Sequence, residues 1–519
     1  MPLPFKSQII ADVGISFGDE GKGRLIYELI DDLRAMTGRP NPVGMVIKVN
    51  GGANSGHTAG GLKLNLLPAG VISQEVDWLA IGSGVVADPR KFLWEGKPLE
   101  ARDYNIFERL KIDERTQISD ISHRLLDLAW EDYRQNVLAE PARGSTGRGI
   151  SPAYAEEAHQ FQLHYVMFQG SKDAFASKMR QRLARASRII EHVCQVLPER
   201  WEAFFATLTQ AELRANNASI ESGLFDREEF DFHRFRGNSP FSFDETAIID
   251  CYWEAGLALA DRIDDVRELV HRTQHQGRYI IGEFGQAYWL DKRHGFPPNV
   301  TASHTFPAEI FQSLGVPLQP LHTVGVCKVY DTKVGTHLFL TEIPDRHPLK
   351  HKLSKLEFGT STGRQRMVGW FDAVEKADAL RYGGFDELAI NKLDALTCTE
   401  AMEGTELLIA VAYRTLDGTL LHNVPRDDTL RKRLKPVYRQ LPSWSVNIRD
   451  VRSFDGLPKE AQYYVSVLVA SIMELAYRER TKPERLPSVR YIGVGPDPKE
   501  IIRDIPSTEQ LLKLARMDN

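Results

Sequence analysis

Five short segments of this 519-residue chain combine residue types suited to phosphate and carboxylate chemistry. The first, Gly18-Asp19-Glu20-Gly21-Lys22-Gly23-Arg24, closes a strand-like run that begins near Ile9. Glycines at such a turn let backbone N–H groups approach phosphate oxygens, and a helix beginning just behind them adds favourable partial charge. The segment is not the usual phosphate loop, because Ser16 stands where a first glycine belongs and Gly23 where Ser or Thr follows the lysine. A plain glycine-rich turn is the alternative. Asp19 argues against it: a carboxylate among phosphate-binding amides repels the ligand unless it serves as a base or holds a cation.

The second segment, Asn50-Gly51-Gly52-Ala53-Asn54-Ser55-Gly56-His57-Thr58, follows the strand-like run Met45–Val49. Small residues around Asn54 and His57 leave the backbone open at the carboxyl end of a strand, where open α/β sheets bind ligands. The third, Gly144-Ser145-Thr146-Gly147-Arg148-Gly149-Ile150-Ser151-Pro152, offers hydroxyls, amides and one guanidinium ahead of a helix whose first turn would accept Pro152. It reads equally as a second phosphate cradle or as a structural turn.

The fourth segment, Thr360-Ser361-Thr362-Gly363-Arg364-Gln365-Arg366, places two arginines beside three hydroxyls. Guanidinium forks pair bidentately with carboxylates, so a small dianion suits this loop. A solvated basic loop is the alternative. The fifth, Asn391-Lys392-Leu393-Asp394, closes a strand-like run from Leu388. An aspartate there can accept from the ring N–H and exocyclic amine of guanine while the lysine stem packs on the base, a donor pair that adenine lacks.

The elements that must position these segments follow from hydrophobic patterning. Strands are expected at Gln8–Ile15, Met45–Val49, Leu79–Val86, Tyr279–Glu283, Thr323–Tyr330, Leu338–Ile343, Leu388–Asn391, Leu407–Tyr413 and Val489–Val494. Helical spacing appears between several of them, as in Leu25, Ile26, Leu29, Ile30 and Leu33, and again in Ile121, Leu125, Leu128 and Ala129. The alternation predicts an α/β fold with a large, mostly parallel central sheet flanked by helices. From about residue 160 to 276 the pattern changes to long charged helical stretches, Lys172–Arg200 and Arg227–Arg236, read as a helical insertion in a single α/β domain spanning 1–519. Arg426–Arg439 reads as a solvated helix, and Tyr463–Met473 as a buried one. No internal repeat or low-complexity linker divides the chain.

Bulk composition excludes several classes. With 65 Lys plus Arg against 70 Asp plus Glu, the chain has no global field for nucleic acid or an anionic membrane. Four scattered cysteines without a CxxC pair fit reduced thiols and a cytoplasmic location. The N-terminus shows no signal-peptide pattern, and Tyr463–Met473 is too short to span a bilayer.

Taken in order, the five segments resemble the adenylosuccinate synthetase family. Further agreement comes from Gly282-Glu283-Phe284-Gly285-Gln286, Thr332-Lys333-Val334-Gly335, Gly369-Trp370-Phe371-Asp372, Leu441-Pro442-Ser443-Trp444 and Gly495-Pro496-Asp497, so the likeness runs from about Ile10 to Asp504. It implies a phosphate-loop-NTPase-like fold and a soluble homodimer. The reaction implied is a GTP- and Mg²⁺-dependent ligation of L-aspartate to IMP through a 6-phosphoryl intermediate. By position, Asp19 would take the N1 proton and touch Mg²⁺ together with the Gly56 carbonyl, and His57, Lys22 and Gln286 would complete the catalytic set. Asn54, Thr146, Gln286 and Thr301 would hold the acceptor nucleotide, and Ser361, Thr362, Arg364 and Arg366 the aspartate. Gly18, Glu20, Gly21, Lys22, Gly23, Lys392, Asp394 and Gly495 would hold GTP.

The chain departs from the family pattern in places. Resembling proteins carry an arginine after the third segment that reaches the neighbouring subunit's nucleotide, whereas ungapped counting lands here on Gln160. After Thr301 a glycine-rich stretch is replaced by Ala302-Ser303-His304-Thr305-Phe306-Pro307-Ala308-Glu309, read as a bulkier helix start. Extra length falls at 160–276 and between Arg426 and Arg485. A second acceptor such as dGMP therefore stays open beside IMP, as does a GTP-binding regulatory protein, although Gly23 removes the hydroxyl with which a GTPase switch holds its cation.

Overall fold

A computed structural model describes residues 4–334, 338–358, 365–399, 402, 404–478 and 483–517. Ten strands form its central sheet. Their spatial order is Ile501–Ile502, Ser488–Gly493, Glu387–Asn391, His322–Lys328, Ile9–Gly14, Tyr279–Glu283, Val43–Lys48, Trp78–Ile81, Leu110–Asp113 and Ile263–Asp264. Every neighbouring pair is parallel except the Ile501–Ile502 edge, which is antiparallel. The expected α/β architecture is therefore present, and its physical cause is plain in the central strands. Ile9–Gly14, Val43–Lys48 and His322–Lys328 are buried at every position. Helices on both faces exclude water from them. Ile9, Ala11 and Val13 pack into one core and Ile10 into the other, as the two-residue side-chain period requires.

The expected buried helix runs Lys459–Ala476 and carries Val465, Leu468, Val469 and Ile472 into the first of these cores. Within 160–276 lie the helices Lys172–Arg188, Pro198–Ala215, Glu245–Leu257 and Val266–His275, and the strand Ile263–Asp264 of this segment joins the edge of the central sheet. Glu212, fully buried on Pro198–Ala215, ion-pairs with Arg124 on the helix Ile121–Asn136 at 3.0 Å and with Arg148, fastening the helical segment to the third motif.

Four local expectations are corrected. Arg426–Arg439 is not a helix: beyond the single turn Asp428–Arg431, Lys435–Leu441 forms a strand antiparallel to Leu407–Arg414 in a smaller sheet. Pro436 is accommodated because this strand pairs on one side, where a missing N–H is tolerated. Arg227–Arg236 forms two short 3₁₀ turns whose buried Phe230, Phe232 and Phe235, rather than a helical stripe, anchor the charged run. Leu338–Ile343 forms no strand and contributes one isolated bridge, Glu342 to Gly369. The run Leu79–Val86 breaks at Gly82, with Trp78–Ile81 in the central sheet and Val86–Ala87 pairing Gln117–Ile118. Among the described residues, no helix is long and apolar enough to cross a membrane.

Candidate active site

Because the strands run parallel, their carboxyl ends share one edge, and three of the five motifs leave the sheet there, after Gly14, Lys48 and Asn391, joined by Gln286 after Glu283 and Gly495 after Gly493. The first motif turns through Gly18, Asp19 and Gly21 at φ values of 96°, 61° and 89° before the helix Lys22–Thr37 begins. A carboxylate occupies its interior. Glu20, fully buried, accepts from Gly18 N–H at 2.8 Å and from Lys22 Nζ at 2.9 Å. Its oxygen sits where a Cβ on Gly14 would fall, 2.3 Å away, so Gly14 is required by close approach. Lys22 Nζ also donates to the Gln286 carbonyl at 2.5 Å, joining the first motif to the segment after Tyr279–Glu283.

Gly23 has a specific cause. A Cβ there would lie 2.8 Å from the Thr58 carbonyl and 2.9 Å from His57 Cβ, so the absent hydroxyl is the condition for the His57 segment to pack against the loop. His57 Nδ1 lies 2.5 Å from Glu283 Oε1, and Lys48 Nζ lies 2.9 Å from the same oxygen. Glu283 Oε2 accepts from Ala69 N–H at 2.6 Å. Burial would raise the Glu283 carboxyl, but Lys48 and then His57 outweigh it and hold it down at about 2. Burial, reinforced by Lys48, pushes the His57 imidazole down to about 4 against the pull of Glu283. His57 is therefore neutral in the ligand-free chain, with Nδ1–H toward Glu283 and the Nε2 lone pair directed elsewhere. Asp12, facing Glu283 in register, has its carboxyl pushed well up by burial and then by Glu283.

In the second motif, Asn54 Oδ1 accepts from Gly52 N–H at 3.1 Å, and Asn50 bonds to both Gln286 and Ser303. Thr301 N–H donates to the Leu290 carbonyl at 2.8 Å and Thr305 Oγ1 to the Ala287 carbonyl at 2.8 Å, so the segment carrying Thr301 folds back onto the residues that follow Gln286. The bulkier helix start expected after Thr301 begins only at Glu309; before it, Thr305 and Phe306 N–H groups bind the Asp291 carboxylate. Thr146 is exposed at the mouth of the third motif. The guanidinium of that motif faces inward: Arg148 is neutralised by Glu212.

Ser361, Thr362 and Arg364 lie outside the described residues. Arg366, on the far side of that loop, donates from Nε to Asp19 Oδ2 at 2.6 Å, and its backbone N–H bonds the Glu357 carbonyl at 3.0 Å. Glu357 lies just ahead of the fourth segment and has no role in the sequence reading. Its carboxylate accepts from Lys392 Nζ at 2.5 Å, Tyr330 Oη at 2.5 Å and Lys328 Nζ at 3.2 Å, which fastens the base of the fourth motif to the fifth. Lys392 is held at φ 63°, and Asp394 Oδ2 accepts from Arg449 at 3.4 Å. Arg24 donates to the carbonyls of Gly495, Asp497 and Glu500, and Asn391 Nδ2 to the Glu20 carbonyl at 2.7 Å. Sequence reasoning gave Glu283, Lys48, Asn50, Glu357 and Arg24 no part in the site. The available signal was a lone charge ending an apolar strand, as in Lys48 and Glu283.

The family model described as adenylosuccinate synthetase matches residues 11–231 and 224–502. The adenylosuccinate synthetase of Bacillus thuringiensis (strain Al Hakam) is 30% identical over 460 residues, covering 87% of this chain and 91% of its own. That of Anaeromyxobacter dehalogenans (strain 2CP-1 / ATCC BAA-258) is 30% identical over 501 residues, covering 94% and 96%. The solved structure of fully ligated adenylosuccinate synthetase from Plasmodium falciparum superposes with a TM-score of 0.73 at 24% identity, covering 96% of this chain and 100% of that one, and shares the fold.

Two outcomes are expected from the geometry. Gly23→Ser will lower the melting temperature, since relieving such overpacking costs roughly 1–3 kcal/mol; a wild-type melting temperature would refute the packing role. For His57, the fold lowers the pKa from 6.5 to about 4, so the folded chain binds fewer protons between those values and loses stability as pH falls through them. From pH 7 to pH 5 the wild type should lose about 2 kcal/mol that His57→Gln does not lose. Equal losses in denaturant titrations would place the effect elsewhere.

Proposed function

Because this chain belongs to the adenylosuccinate synthetase family, we propose that it ligates L-aspartate to IMP, consuming GTP and giving adenylosuccinate, GDP and phosphate. The chain is a ligase forming a C–N bond, acting on small molecules in purine biosynthesis. The finer reading is supported above all by Lys22, whose ammonium touches both the phosphate loop at Glu20 and the nucleotide-side loop at Gln286. A phosphoryl donor and its acceptor must meet at such a junction.

In this reading Asp19 removes the N1 proton of the base, because hypoxanthine O6 is a poor nucleophile while N1–H is in place. Lys22 leaves Glu20 for the transferring phosphoryl group, and His57, drawing a proton as anionic oxygens arrive beside it, donates to O6. The aspartate amine then displaces phosphate from C6. Ser361, Thr362, Arg364 and Arg366 hold the carboxylates of aspartate, with Arg366 exchanging Asp19 for the ligand. Asn54, Thr146, Gln286 and Thr301 hold the acceptor nucleotide. Gly18, Gly21, Gly23, Lys392, Asp394 and Gly495 take GTP, with Arg24 bracing the Gly495 loop.

Mg²⁺ fits the donor set in this region. Asp19 keeps one carboxylate oxygen outside its bond to Arg366, and with the Gly56 carbonyl it offers hard oxygen ligands. Among the described residues no cluster of three or more His, Cys, Asp or Glu could hold a metal by itself, so phosphate oxygens and water would have to complete the coordination. Such a cation supplies charge stabilisation to the transferring phosphoryl group. A cytoplasmic homodimer completes the reading.

The test is a nucleotide screen. Purified protein with GTP, Mg²⁺ and aspartate should give the ultraviolet change of a succinylated purine with IMP. A response only to dGMP would move the acceptor, and aspartate-independent GTP hydrolysis alone would point to a regulatory GTPase. In the same assay Asp19→Asn should reduce turnover at least about a thousandfold while leaving GTP binding within about threefold of wild type; near-normal turnover would remove Asp19 from the base role.

A further inference from the structure

Three of the residues assigned to the acceptor nucleotide, Asn54, Thr146 and Thr301, sit on segments that meet at the helix Ile150–Ala158, which closes the third motif. Tyr154 of that helix is buried; its hydroxyl accepts from Gly51 N–H at 2.9 Å and donates to the Gly84 carbonyl at 2.6 Å, which holds the helix to the second motif. A Cβ on Gly52 would lie 2.9 Å from Ile150 Cδ1, so the same motif also rests on the first turn of the helix. Ala302, next to Thr301, packs against the cluster of Val86, Ile150, Ala153 and Tyr154. Two backbone bonds, from Thr301 N–H to the Leu290 carbonyl at 2.8 Å and from Lys292 N–H to the Ser303 carbonyl at 3.2 Å, lay residues 290–292 against 301–303. The Lys292 ammonium consequently stands at the rim of this junction, 5.9 Å from the centroid of the Tyr154 ring.

A nucleoside monophosphate brings close to two negative charges at neutral pH. Asn54, Thr146, Gln286 and Thr301 are all neutral, and Gln160, just beyond the helix, adds no charge. The cations of the surrounding motifs are engaged elsewhere: Arg148 with Glu212, Lys48 with Glu283 and Lys22 with Glu20. Lys292 is exposed, and among the described residues its ammonium has no carboxylate within ion-pair distance. The carboxylates around it do not compete strongly for it. Asp291 is occupied by the N–H groups of Arg293, His294, Thr305 and Phe306. Burial pushes the Glu309 carboxyl up to about 7, and Glu157 is exposed to water.

We propose that Lys292 is the cation that binds the 5′-phosphate of the acceptor nucleotide, so that this charge comes from the same chain that holds the rest of the nucleotide. This deepens the reading of Asn54, Thr146 and Thr301 as acceptor-binding residues and rests on it. The two threonine hydroxyls and the asparagine amide supply directed hydrogen bonds without charge, and a dianion leaving water for neutral donors alone is poorly compensated. A lysine suits the rim of such a site, because its point charge on a flexible stem can follow the phosphate inward. The attraction of the Tyr154 ring for the ammonium is weak enough for phosphate oxygens to replace it. The 5′-phosphate is remote from C6, where the bonds change, so the contact is made equally in the ground and transition states and acts on binding rather than on the chemical step. It is also indifferent to the base, and serves IMP and dGMP alike.

The experiment is a kinetic comparison of full-length variants with GTP, Mg²⁺, aspartate and whichever purine nucleoside monophosphate the wild type turns over. Lys292→Gln should raise the KM for that nucleotide at least about tenfold, the scale of a hydrogen bond to a charged group, while kcat and the KM values for GTP and aspartate stay within about threefold of wild type. Lys292→Arg keeps the charge and should bring the nucleotide KM back to within about threefold. Arg293→Gln removes a charge from the neighbouring residue and should move the same KM less than Lys292→Gln does. Because Lys292 is exposed, its variants should melt at the wild-type temperature. An unchanged nucleotide KM in Lys292→Gln, an equal defect in Lys292→Arg, a larger defect in Arg293→Gln, or a rise shared by the GTP KM would each overturn the proposal. Failure of the wild type to turn over any purine nucleotide would instead overturn the proposed function.

Discussion

The interaction on which the site depends is the buried carboxylate of Glu283. It stands at the end of a central strand, beside Lys48 in one neighbouring strand and Asp12 in the other. Through Lys48, His57 and the Ala69 N–H it joins three segments far apart in sequence. Burying a carboxylate and an ammonium together costs several kcal/mol per ion in desolvation, which close contact and additional hydrogen bonds offset only when the geometry is good. Such a group is therefore a poor source of net stability and a strong source of positional definition: removing any one partner leaves an uncompensated charge. His57 is held by this arrangement, and Gly23 can pack against His57 only because it has no side chain.

Parallel topology does the remaining large-scale work. Strands that all point one way deliver their following loops to one edge, so segments near residues 20, 54, 286, 392 and 495 meet without any long loop having to fold across the molecule. Two crosslinks then set the loops against one another. Lys22 ties the first motif to Gln286, and Glu357 ties the base of the fourth motif to Lys392. The third motif is set differently, by Glu212 of the helical segment, which pairs with the Arg148 guanidinium.

Much of this was legible in the sequence where a single period or turn decided the matter. The buried strands near Ile9, Met45 and Tyr279 announce themselves by largely apolar runs, and the loops behind them by their glycines. What could not be read were pairings across the chain. Lys435–Leu441 looks helical by charge and unsuited to a strand by Pro436; only its pairing with Leu407–Arg414 makes it one. Arg148 has the composition of a phosphate ligand, and nothing local reveals Glu212. The roles of Glu283 and Lys48 were partly accessible, because a lone charge closing an apolar strand must find a partner. That the two would be partners in register required the strand order.

The ligand-free electrostatics give these pairings a common sense. Among the described residues, the three cations assigned to the transferring phosphoryl group, aspartate and GTP are matched by carboxylates of the chain itself: Lys22 by Glu20, Arg366 by Asp19, Lys392 by Glu357. An arriving phosphate or carboxylate thus exchanges with a resident anion and does not meet a bare positive site, so part of its Coulomb energy is spent on displacing that anion. Affinity for arbitrary anions is lowered accordingly, while a ligand that also satisfies the freed carboxylate recovers the difference. Asp19 illustrates the point, since the base N–H it is assigned to accept from offers it a new partner as Arg366 turns to the amino acid. Displacement of this kind links the substrates energetically, because a group released by one becomes available to the next.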